Sequence, residues 1–237
     1  MIKDKKIFIL GASGGVGENI ANLFSEHNSE IYLHGTNIKR LEEVSNQILK
    51  SNKEIKIFKL AYDLSSNSGL EDLISYLKSN QVQIDILINA AGIFNVTDFI
   101  HESSEDFHKA INVNFISPML ISKYLIEGMK KKSWGRIVNI TSSSAYAGFP
   151  NTVTYCASKH GLLGFSRALH SELRDFGIRV ISVAPGSIKT EMGKKVPNQN
   201  FDSFIEPEQV AKAIYDLVCL DKNMVIDEVR LNRMKYI

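Results

Sequence analysis

A tyrosine and a lysine stand four positions apart in the segment Tyr155-Cys-Ala-Ser-Lys159, and both side chains can hold or transfer a proton. The segment falls in a stretch with helical periodicity, so the two side chains share one helix face. An ammonium group near a phenol favours the phenolate and lowers the phenol pKa from about 10 towards neutrality, where proton transfer is most useful. Taken alone, a pair with this spacing is more often a surface pair.

A hydroxyl group suited to the same chemistry follows the β-rich run Gly135–Thr141. Ser142 comes directly after that run, 13 positions before Tyr155. Doubly wound sheets place their ligands at such strand ends, and a serine there could donate a hydrogen bond to a carbonyl oxygen as charge builds on it. A turn or a helix cap is the alternative role for Ser142, and Ser143 and Ser144 compete for the catalytic one.

Three glycines follow the first β-rich run with the spacing G-x-x-x-G-x-G, in the segment Gly11-Ala-Ser-Gly-Gly-Val-Gly17. Glycines at a strand-to-helix turn let backbone N–H groups approach a pyrophosphate closely, and the helix N-terminus adds a favourable dipole. Glycines also serve tight turns, so it is the position after the first strand that favours nucleotide binding.

The elements that must position these residues alternate along the whole chain. Strands are predicted at Lys6–Leu10, Glu30–Gly35, Glu54–Leu60, Ile84–Asn89, Gly135–Thr141, Arg179–Ala184 and Met224–Arg230. Helices are predicted at Val16–Glu26, Ile38–Lys50, Gly69–Ser79, Ser104–Lys132, Val153–Phe176 and Pro207–Leu220. Continuously apolar strands are typical of parallel sheets covered on both faces. The pattern predicts an α/β fold, a doubly wound parallel sheet (Rossmann fold) of about seven strands with helices on both faces.

One domain spanning residues 1–237 is the simplest organisation, because no linker, repeat or low-complexity tract divides the chain. The segment Ser187–Ile205 lacks periodicity and carries Gly193, Pro197 and several amide residues. It predicts a long loop, either a functional lid over a substrate or a disordered stretch.

Composition excludes several classes of protein. The chain has 28 Lys and Arg against 26 Asp and Glu, a balance that argues against nucleic-acid binding. Its two cysteines, Cys156 and Cys219, suit neither a disulfide framework nor a zinc site, so no metal is expected. The first apolar run is too short for a signal peptide, and no run approaches the roughly 18 residues of a membrane span. A cytoplasmic location is expected.

Taken together, these motifs resemble the short-chain dehydrogenase/reductase family over nearly the whole chain, in a joint order and spacing that is highly specific. The matching segments are Gly11-Ala-Ser-Gly-Gly-Val-Gly17, Asp63, Asn89-Ala-Ala-Gly92, Asn114, Ser142, Tyr155-Cys-Ala-Ser-Lys159 and Pro185-Gly-Ser-Ile-Lys-Thr190. The resemblance implies an oxidoreductase that interconverts a ketone and a secondary alcohol.

The resemblance also implies a role for each matching catalytic residue. Tyr155 is expected to exchange a proton with the substrate oxygen, and Ser142 to orient that oxygen. Lys159 is expected to hold the nicotinamide ribose hydroxyls and to depress the pKa of Tyr155. Asn114 is expected to support a water-linked proton path to the lysine, unless Asn112 or Asn114 simply bonds helix backbone.

A larger set of residues is implied to bind the dinucleotide. Asp63 is the expected partner of the adenine amino group, although a helix-capping carboxylate is the competing explanation. An ordinary Pro-Gly turn is likewise the alternative for Pro185 and Gly186. The implied contacts are Gly11, Ser13, Gly14, Gly15, Val16, Gly17, Thr36, Asn37, Arg40, Asp63, Leu64, Asn89, Ala90, Ala91, Gly92, Tyr155, Lys159, Pro185, Gly186, Ile188 and Thr190.

The residues after the second predicted strand bear on which nicotinamide cofactor is used. A carboxylate there would bond the ribose 2′-hydroxyl of NAD and repel a 2′-phosphate. The chain instead offers Thr36, Asn37, Lys39 and Arg40, which could bond or neutralise a phosphate. NADP(H) is therefore favoured, with NAD(H) as the alternative. The alternative role for Lys39 and Arg40 is that of solvated residues on the next helix.

Substrate identity is left open by the motifs. Their layout is similar to bacterial 3-oxoacyl-[acyl-carrier-protein] reductases, which implies an acyl-thioester substrate. Those enzymes typically end in a Gly-rich tail, whereas this chain ends Ile226-Asp-Glu-Val-Arg-Leu-Asn-Arg-Met-Lys-Tyr-Ile237. A dehydrogenase of small carbonyls, hydroxy acids or sugar derivatives is the alternative, and a catalytically silent nucleotide-binding regulatory protein is the alternative of another class. The resemblance also implies a homodimer or homotetramer.

Overall fold

The computed structural model describes residues 2–27 and 30–234, which form a parallel sheet of seven strands. The strands are β1 Lys6–Leu10, β2 Glu30–Gly35, β3 Lys56–Ala61, β4 Ile86–Asn89, β5 Gly135–Ile140, β6 Ile178–Pro185 and β7 Glu228–Leu231. Their order in the sheet is β3-β2-β1-β4-β5-β6-β7. The order reverses at β1, and the carboxyl ends of β1 and β4 therefore open a cleft of the kind in which such folds bind ligands.

Seven α-helices within the described residues connect the strands. They are α1 Gly15–Ser25, α2 Ile38–Ser51, α3 Asn67–Ser79, α4 Ser104–Ile111, α5 Ser117–Lys132, α6 Val153–Leu173 and α7 Pro207–Cys219. The predicted α/β class, with a doubly wound sheet and helices on both faces, is confirmed.

Alternating strand side chains feed two apolar layers. In β1, Ile7 and Ile9 pack with α1, α2 and α7 on one face, while Phe8 and Leu10 pack with α3 and α5 on the other. All four side chains are fully buried. This double coverage explains why the central strands read as continuous apolar runs in the sequence.

Several predicted boundaries differ from the structure. The predicted helix Ser104–Lys132 is wrong as one element: α4 and α5 are separated by a π-helical turn over Asn112–Ile116. The predicted strand Met224–Arg230 begins later, at Glu228, because the preceding apolar residues are exposed and only residues from Glu228 onwards pair with β6. The last turn predicted for α6 is a 3₁₀ turn, Arg174–Phe176.

Candidate active site

A cavity of about 1040 Å³ lies at the carboxyl ends of the central strands. Its walls come from the loops that follow β1 to β6, so residues far apart in sequence meet there. Most of the predicted site residues line it: Gly11, Ser13, Gly14, Gly15, Val16, Gly17, Thr36, Arg40, Asp63, Leu64, Ala90, Ala91, Gly92, Ser142, Tyr155, Lys159, Pro185, Gly186, Ile188 and Thr190.

The turn after β1 fits a dinucleotide pyrophosphate. Gly11 has a φ of +82°, and a Cβ atom there would lie 2.6 Å from the backbone nitrogen of Ala91. A Cβ atom at Gly17 would collide with the carbonyl of Gly11. The backbone segments therefore approach each other so closely that only glycine fits at these positions. Gly14 is the N-cap of α1, and no side chain caps this helix. The first backbone N–H groups of α1 therefore lie at a helix N-terminus that is suited to bind an anion.

Tyr155 and Lys159 lie one turn apart on α6, and Ser142 follows β5 on the same wall of the cavity. The Lys159 Nζ donates to the carbonyl of Ile140 at 2.8 Å and lies 5.7 Å from the centroid of the Tyr155 ring. The Ser142 Oγ accepts a hydrogen bond from the backbone of Ser144 at 3.1 Å, which fixes the oxygen and leaves its proton to donate. The predicted spatial grouping of these three residues is present.

Burial dominates the pKa values of the catalytic pair. It raises the pKa of the Tyr155 phenol, a hydrogen bond with Ser142 acts in the opposite direction, and Cys156 raises the pKa further. Burial also lowers the pKa of Lys159 to about 8. For the protein groups alone, loss of solvation is the largest influence on the pKa of Tyr155, and the expected depression of that pKa by Lys159 stays a prediction.

Asn114 is fully buried and ties two elements together. Its Oδ1 accepts from the backbone of Ile93 at 2.7 Å, and its Nδ2 donates to the Ile93 carbonyl at 2.9 Å and to the Ser158 Oγ at 3.0 Å. The π turn aims Asn114 inward, since its extra residue shifts the helix face between α4 and α5. Asn114 thus joins the loop after β4 to α6 beside Lys159, and its proposed part in a proton path remains a prediction.

Two asparagines expected to contact the cofactor make hydrogen bonds within the protein. The Asn37 Oδ1 caps α2 by accepting from the backbone of Lys39 and Arg40 at 3.0 and 3.3 Å. The Asn89 Nδ2 donates to the Asn139 Oδ1 at 2.6 Å, and the Asn139 Nδ2 donates to the Ser166 Oγ of α6 at 2.8 Å.

Neither Asn37 nor Asn89 lines the cavity. Helix capping uses the Asn37 oxygen and amide pairing uses the Asn89 nitrogen, while the Asn89 Oδ1 has no hydrogen-bond partner among the described residues. Cofactor contact by these two residues stays a prediction.

The end of the cavity beside β2 contains His34, which sequence reasoning passed over. The ring is 2% exposed, and its Nε2 lies 3.0 Å from the carbonyl of Tyr62. Because a carbonyl only accepts, Nε2 carries the proton and Nδ1 is an acceptor, with no hydrogen-bond partner among the described residues. Burial lowers the pKa of His34 to about 4, so the ring is neutral at neutral pH.

Thr36 and Arg40 lie at the same end of the cavity, and Arg40 is exposed and pairs with Glu43 at 3.0 Å. The Asp63 carboxylate lines the cavity and accepts from the backbone of Ser65 at 2.9 Å. This end therefore combines an exposed cation with acceptors for polar hydrogens, which fits an adenosine and its phosphate.

The end of the cavity beside Tyr155, which we call the apolar end, has several apolar side chains in its lining, next to polar ones such as Asn198 and Gln199. The ring of Phe94 meets the Tyr155 ring edge-on with centroids 4.8 Å apart. Phe149, Met192, Val196 and Pro197 also line this end. The predicted loop Ser187–Ile205 contains Met192, Val196 and Pro197, whereas no motif marked Phe94 or Phe149, since isolated apolar residues in loops carry no periodic signal. They leave room for an apolar substituent beside the reacting carbonyl.

Residues 5–200 match the short chain dehydrogenase family. The chain belongs to this family. It is 35% identical over 219 residues to the 3-oxoacyl-[acyl-carrier-protein] reductase of Rickettsia felis, an alignment that covers 89% of this chain and 87% of the relative. The predicted membership in the short-chain dehydrogenase/reductase family is thus confirmed, and with it an NAD(P)-dependent oxidoreductase acting on CH–OH or keto groups.

Solved structures of family members share the fold. A metagenomic short-chain oxidoreductase in complex with NADP superposes with a TM-score of 0.84, at 24% identity and covering 99% of each chain. A 4-hydroxyisoleucine dehydrogenase complexed with NADH superposes with a TM-score of 0.83, at 27% identity and covering 97% of each chain. Proteins with this fold have thus been solved with NADP in one case and with NADH in the other.

Two features are absent from the described part of the chain. No helix among residues 2–27 and 30–234 is long and apolar enough to cross a membrane. The same residues contain no group of three or more His, Cys, Asp or Glu side chains placed to hold a metal ion.

Proposed function

We propose that this short-chain dehydrogenase interconverts a ketone and a secondary alcohol, with Tyr155 as the general acid or base. One observation carries the proposal: the phenol of Tyr155, the hydroxyl of Ser142 and the amine of Lys159 meet on the cavity wall between the glycine-rich turn and the apolar end. A bound nicotinamide dinucleotide would supply or accept the hydride at the carbonyl carbon.

The protein groups supply position and the proton. In the direction of reduction, the Tyr155 O–H gives its proton to the substrate oxygen, while the Ser142 O–H donates a hydrogen bond to the same oxygen. Lys159 keeps one donor on Ile140 and has others for the ribose hydroxyls of the cofactor. The apolar residues around Tyr155 exclude water from the reacting carbonyl.

NADP(H) is the cofactor favoured by the residues after β2, with NAD(H) as the alternative. Among the residues at the end of β2 and directly after it, His34, Gly35 and Thr36 line the cavity and none carries a carboxylate, and Arg40 is a cation that lines the same end. The predicted change is that Arg40→Ala weakens NADPH binding by about tenfold to a hundredfold and leaves NADH binding nearly unchanged, because it removes a charged partner of the 2′-phosphate.

Fluorescence titration of both cofactors measures this prediction. Lys39→Ala is the matched control, since Lys39 is the neighbouring cation and does not line the cavity. Equal losses for NADPH and NADH in Arg40→Ala, or a wild-type preference for NADH, would contradict the choice of cofactor.

A 3-oxoacyl thioester is the leading substrate, supported by the Rickettsia felis relative and by the apolar end of the cavity. Small ketones, hydroxy acids and sugar derivatives are the alternative within the family. The experiment is a panel of acyl thioesters, small ketones and sugar-linked ketones, read as NADPH consumption. Turnover of one class alone assigns the substrate. NADPH binding without turnover of any would favour a silent nucleotide-binding regulatory protein, which the presence of Tyr155, Lys159 and Ser142 argues against.

A homodimer or homotetramer in the cytoplasm completes the proposal. Exposed apolar side chains such as Leu120 on α5 and Val153 on α6 offer surface for pairing between subunits. Sedimentation at working concentration tests this oligomeric state, and a monomer would refute it.

The cytoplasmic location is supported by Cys156 and Cys219, which are both free thiols and suit a reducing compartment. Cell fractionation tests the location.

A further inference from the structure

The loop of residues 187–205, which we call the substrate loop, is closed at its base. The Lys189 N–H donates to the carbonyl of Ile205 at 2.8 Å, and the Ile205 N–H donates to the carbonyl of Ser187 at 3.0 Å. The far part of the loop, including Met192 and residues 196–199, lines the apolar end of the cavity. The position of this loop therefore sets the space beside Tyr155.

The C-terminal tail lies against the returning arm of the substrate loop. At the end of β7, the carbonyl of Leu231 accepts from the backbone of Gly186 at 2.8 Å, directly before the loop begins. Two residues later, the Arg233 Nη1 donates to the Ser203 Oγ at 3.1 Å. The guanidinium carbon of Arg233 also lies 5.1 Å from the centroid of the Phe204 ring. A single side chain thus makes a hydrogen bond and a cation–π contact to adjacent loop residues.

Phe204 contacts both Arg233 and the part of the loop that faces the cavity. Its side chain is 5% exposed. A Cβ atom built on Gly193 would lie 3.4 Å from the Phe204 Cδ2, so the ring packs against the turn that follows Met192. Met192 lines the cavity, whereas Arg233 does not. Phe204 and Ser203 therefore connect Arg233 to the part of the loop that lines the cavity.

We propose that Arg233 is a positioning residue that holds the substrate loop closed over the apolar end of the cavity. The inference rests on the proposed function for the identity of the substrate, but the contact itself does not. Arg233 belongs to the tail segment that departs from the Gly-rich ending implied by the resemblance, and a glycine at this position would have no side chain with which to reach the loop. In this chain the Arg233 side chain thus supplies an intramolecular restraint on the loop.

The test compares Arg233→Met and Arg233→Lys with the control Arg174→Met, whose arginine is exposed and remote from the loop. Brief digestion by a nonspecific protease, followed by mass spectrometry, measures the rate of nicking between residues 190 and 200. We expect Arg233→Met to be nicked about fivefold to thirtyfold faster, because nicking follows the population of the opened loop. Arg233→Lys should recover part of the protection, since its ammonium keeps a cation over Phe204.

Kinetics supply the second readout. For whichever ketone the panel identifies, Arg233→Met should raise KM by about the same factor and leave kcat and the NADPH dissociation constant within about twofold. Nicking of Arg233→Met at the wild-type rate, or an equal KM change in Arg174→Met, overturns the proposal. If Arg233→Met does not fold, Ser203→Ala removes the hydrogen bond from the other side and must also accelerate nicking. Proteolysis needs no substrate, so its result stands even if the proposed function fails.

Discussion

Tyr155 and Lys159 are both buried, and burial acts on them in opposite directions. It raises the pKa of the phenol and lowers the pKa of the amine to about 8, so each neutral form is favoured. At neutral pH the phenol keeps its proton, while the amine is still mostly charged. Tyr155 is therefore prepared to act as a proton donor, which suits reduction of a carbonyl, and oxidation would first require loss of that proton.

Replacement of Tyr155 by phenylalanine tests this role at the scale of one atom. Tyr155→Phe should lower kcat by about a hundredfold to ten-thousandfold, because general acid catalysis is lost while the ring is retained. The NADPH dissociation constant should change less than about twofold. Steady-state kinetics and fluorescence titration measure the two quantities.

Tyr124→Phe is the matched control, since the Tyr124 hydroxyl bonds the carbonyl of Leu77 away from the cavity. Turnover by Tyr155→Phe at the rate of this control would remove Tyr155 from the mechanism.

At the scale of elements, the loops after β1 and β4 touch so closely that they behave as one unit. Gly11 adopts a positive φ and packs against the backbone of Ala91, while the π turn places Asn114 where it bonds Ile93 two residues further on. The glycine-rich turn and the wall of the cavity thus depend on each other. A change in one loop should be felt in the other.

Gly11→Ala is predicted to lower the free energy of unfolding by about 1–3 kcal/mol and to weaken NADPH binding. A methyl group at a positive φ is strained, and it would also press on Ala91. Urea denaturation and fluorescence titration measure these effects. Gly148→Ala is the control, because nothing lies within 4 Å of a Cβ atom at Gly148. Wild-type stability of Gly11→Ala would show that the two loops are not coupled.

At the scale of the whole molecule, β2 carries the neutral side chain of His34. It lies between the end of the cavity beside β2 and the apolar layer that packs with α3 and α5. The pKa of His34 is about 4 in the folded protein, against 6.5 when solvated. Between these values the unfolded chain binds more protons than the folded one. The contribution of neutral His34 to the free energy of unfolding is therefore fully present above about pH 6.5, and it is lost as the pH falls towards 4.

Acidification from pH 7 to pH 5 should cost the wild type about 2 kcal/mol of unfolding free energy through His34. The window lies above the range in which most carboxylates titrate, so the effect is separable from theirs. Urea denaturation at a series of pH values measures it. His34→Gln, which keeps a donor for the Tyr62 carbonyl, should show a flatter profile. An equal pH dependence in both proteins would assign the loss of stability to other groups.

The sheet and the grouping of the catalytic residues could be predicted from the sequence because both depend on spacing. Apolar runs that alternate with helical stretches define the strands. Tyr155 and Lys159 share a helix face because they stand four residues apart, whether or not they are buried. The features that the sequence did not predict depend on tertiary contacts. Helical periodicity does not reveal the one-residue excess of the π turn at Asn112–Ile116. An asparagine such as Asn37 can cap a helix or bind a ligand, and only the fold decides between them.

The buried amide chain from Asn89 through Asn139 to Ser166 has a consequence for how the protein can change over evolution. Apolar side chains tolerate sliding of a helix over a sheet by fractions of a turn, whereas hydrogen bonds of 2.6 and 2.8 Å do not. These bonds hold α6 in register with β4 and β5. The apolar layers can therefore drift in sequence while the phenol and amine stay in place, as long as the amide chain is kept intact.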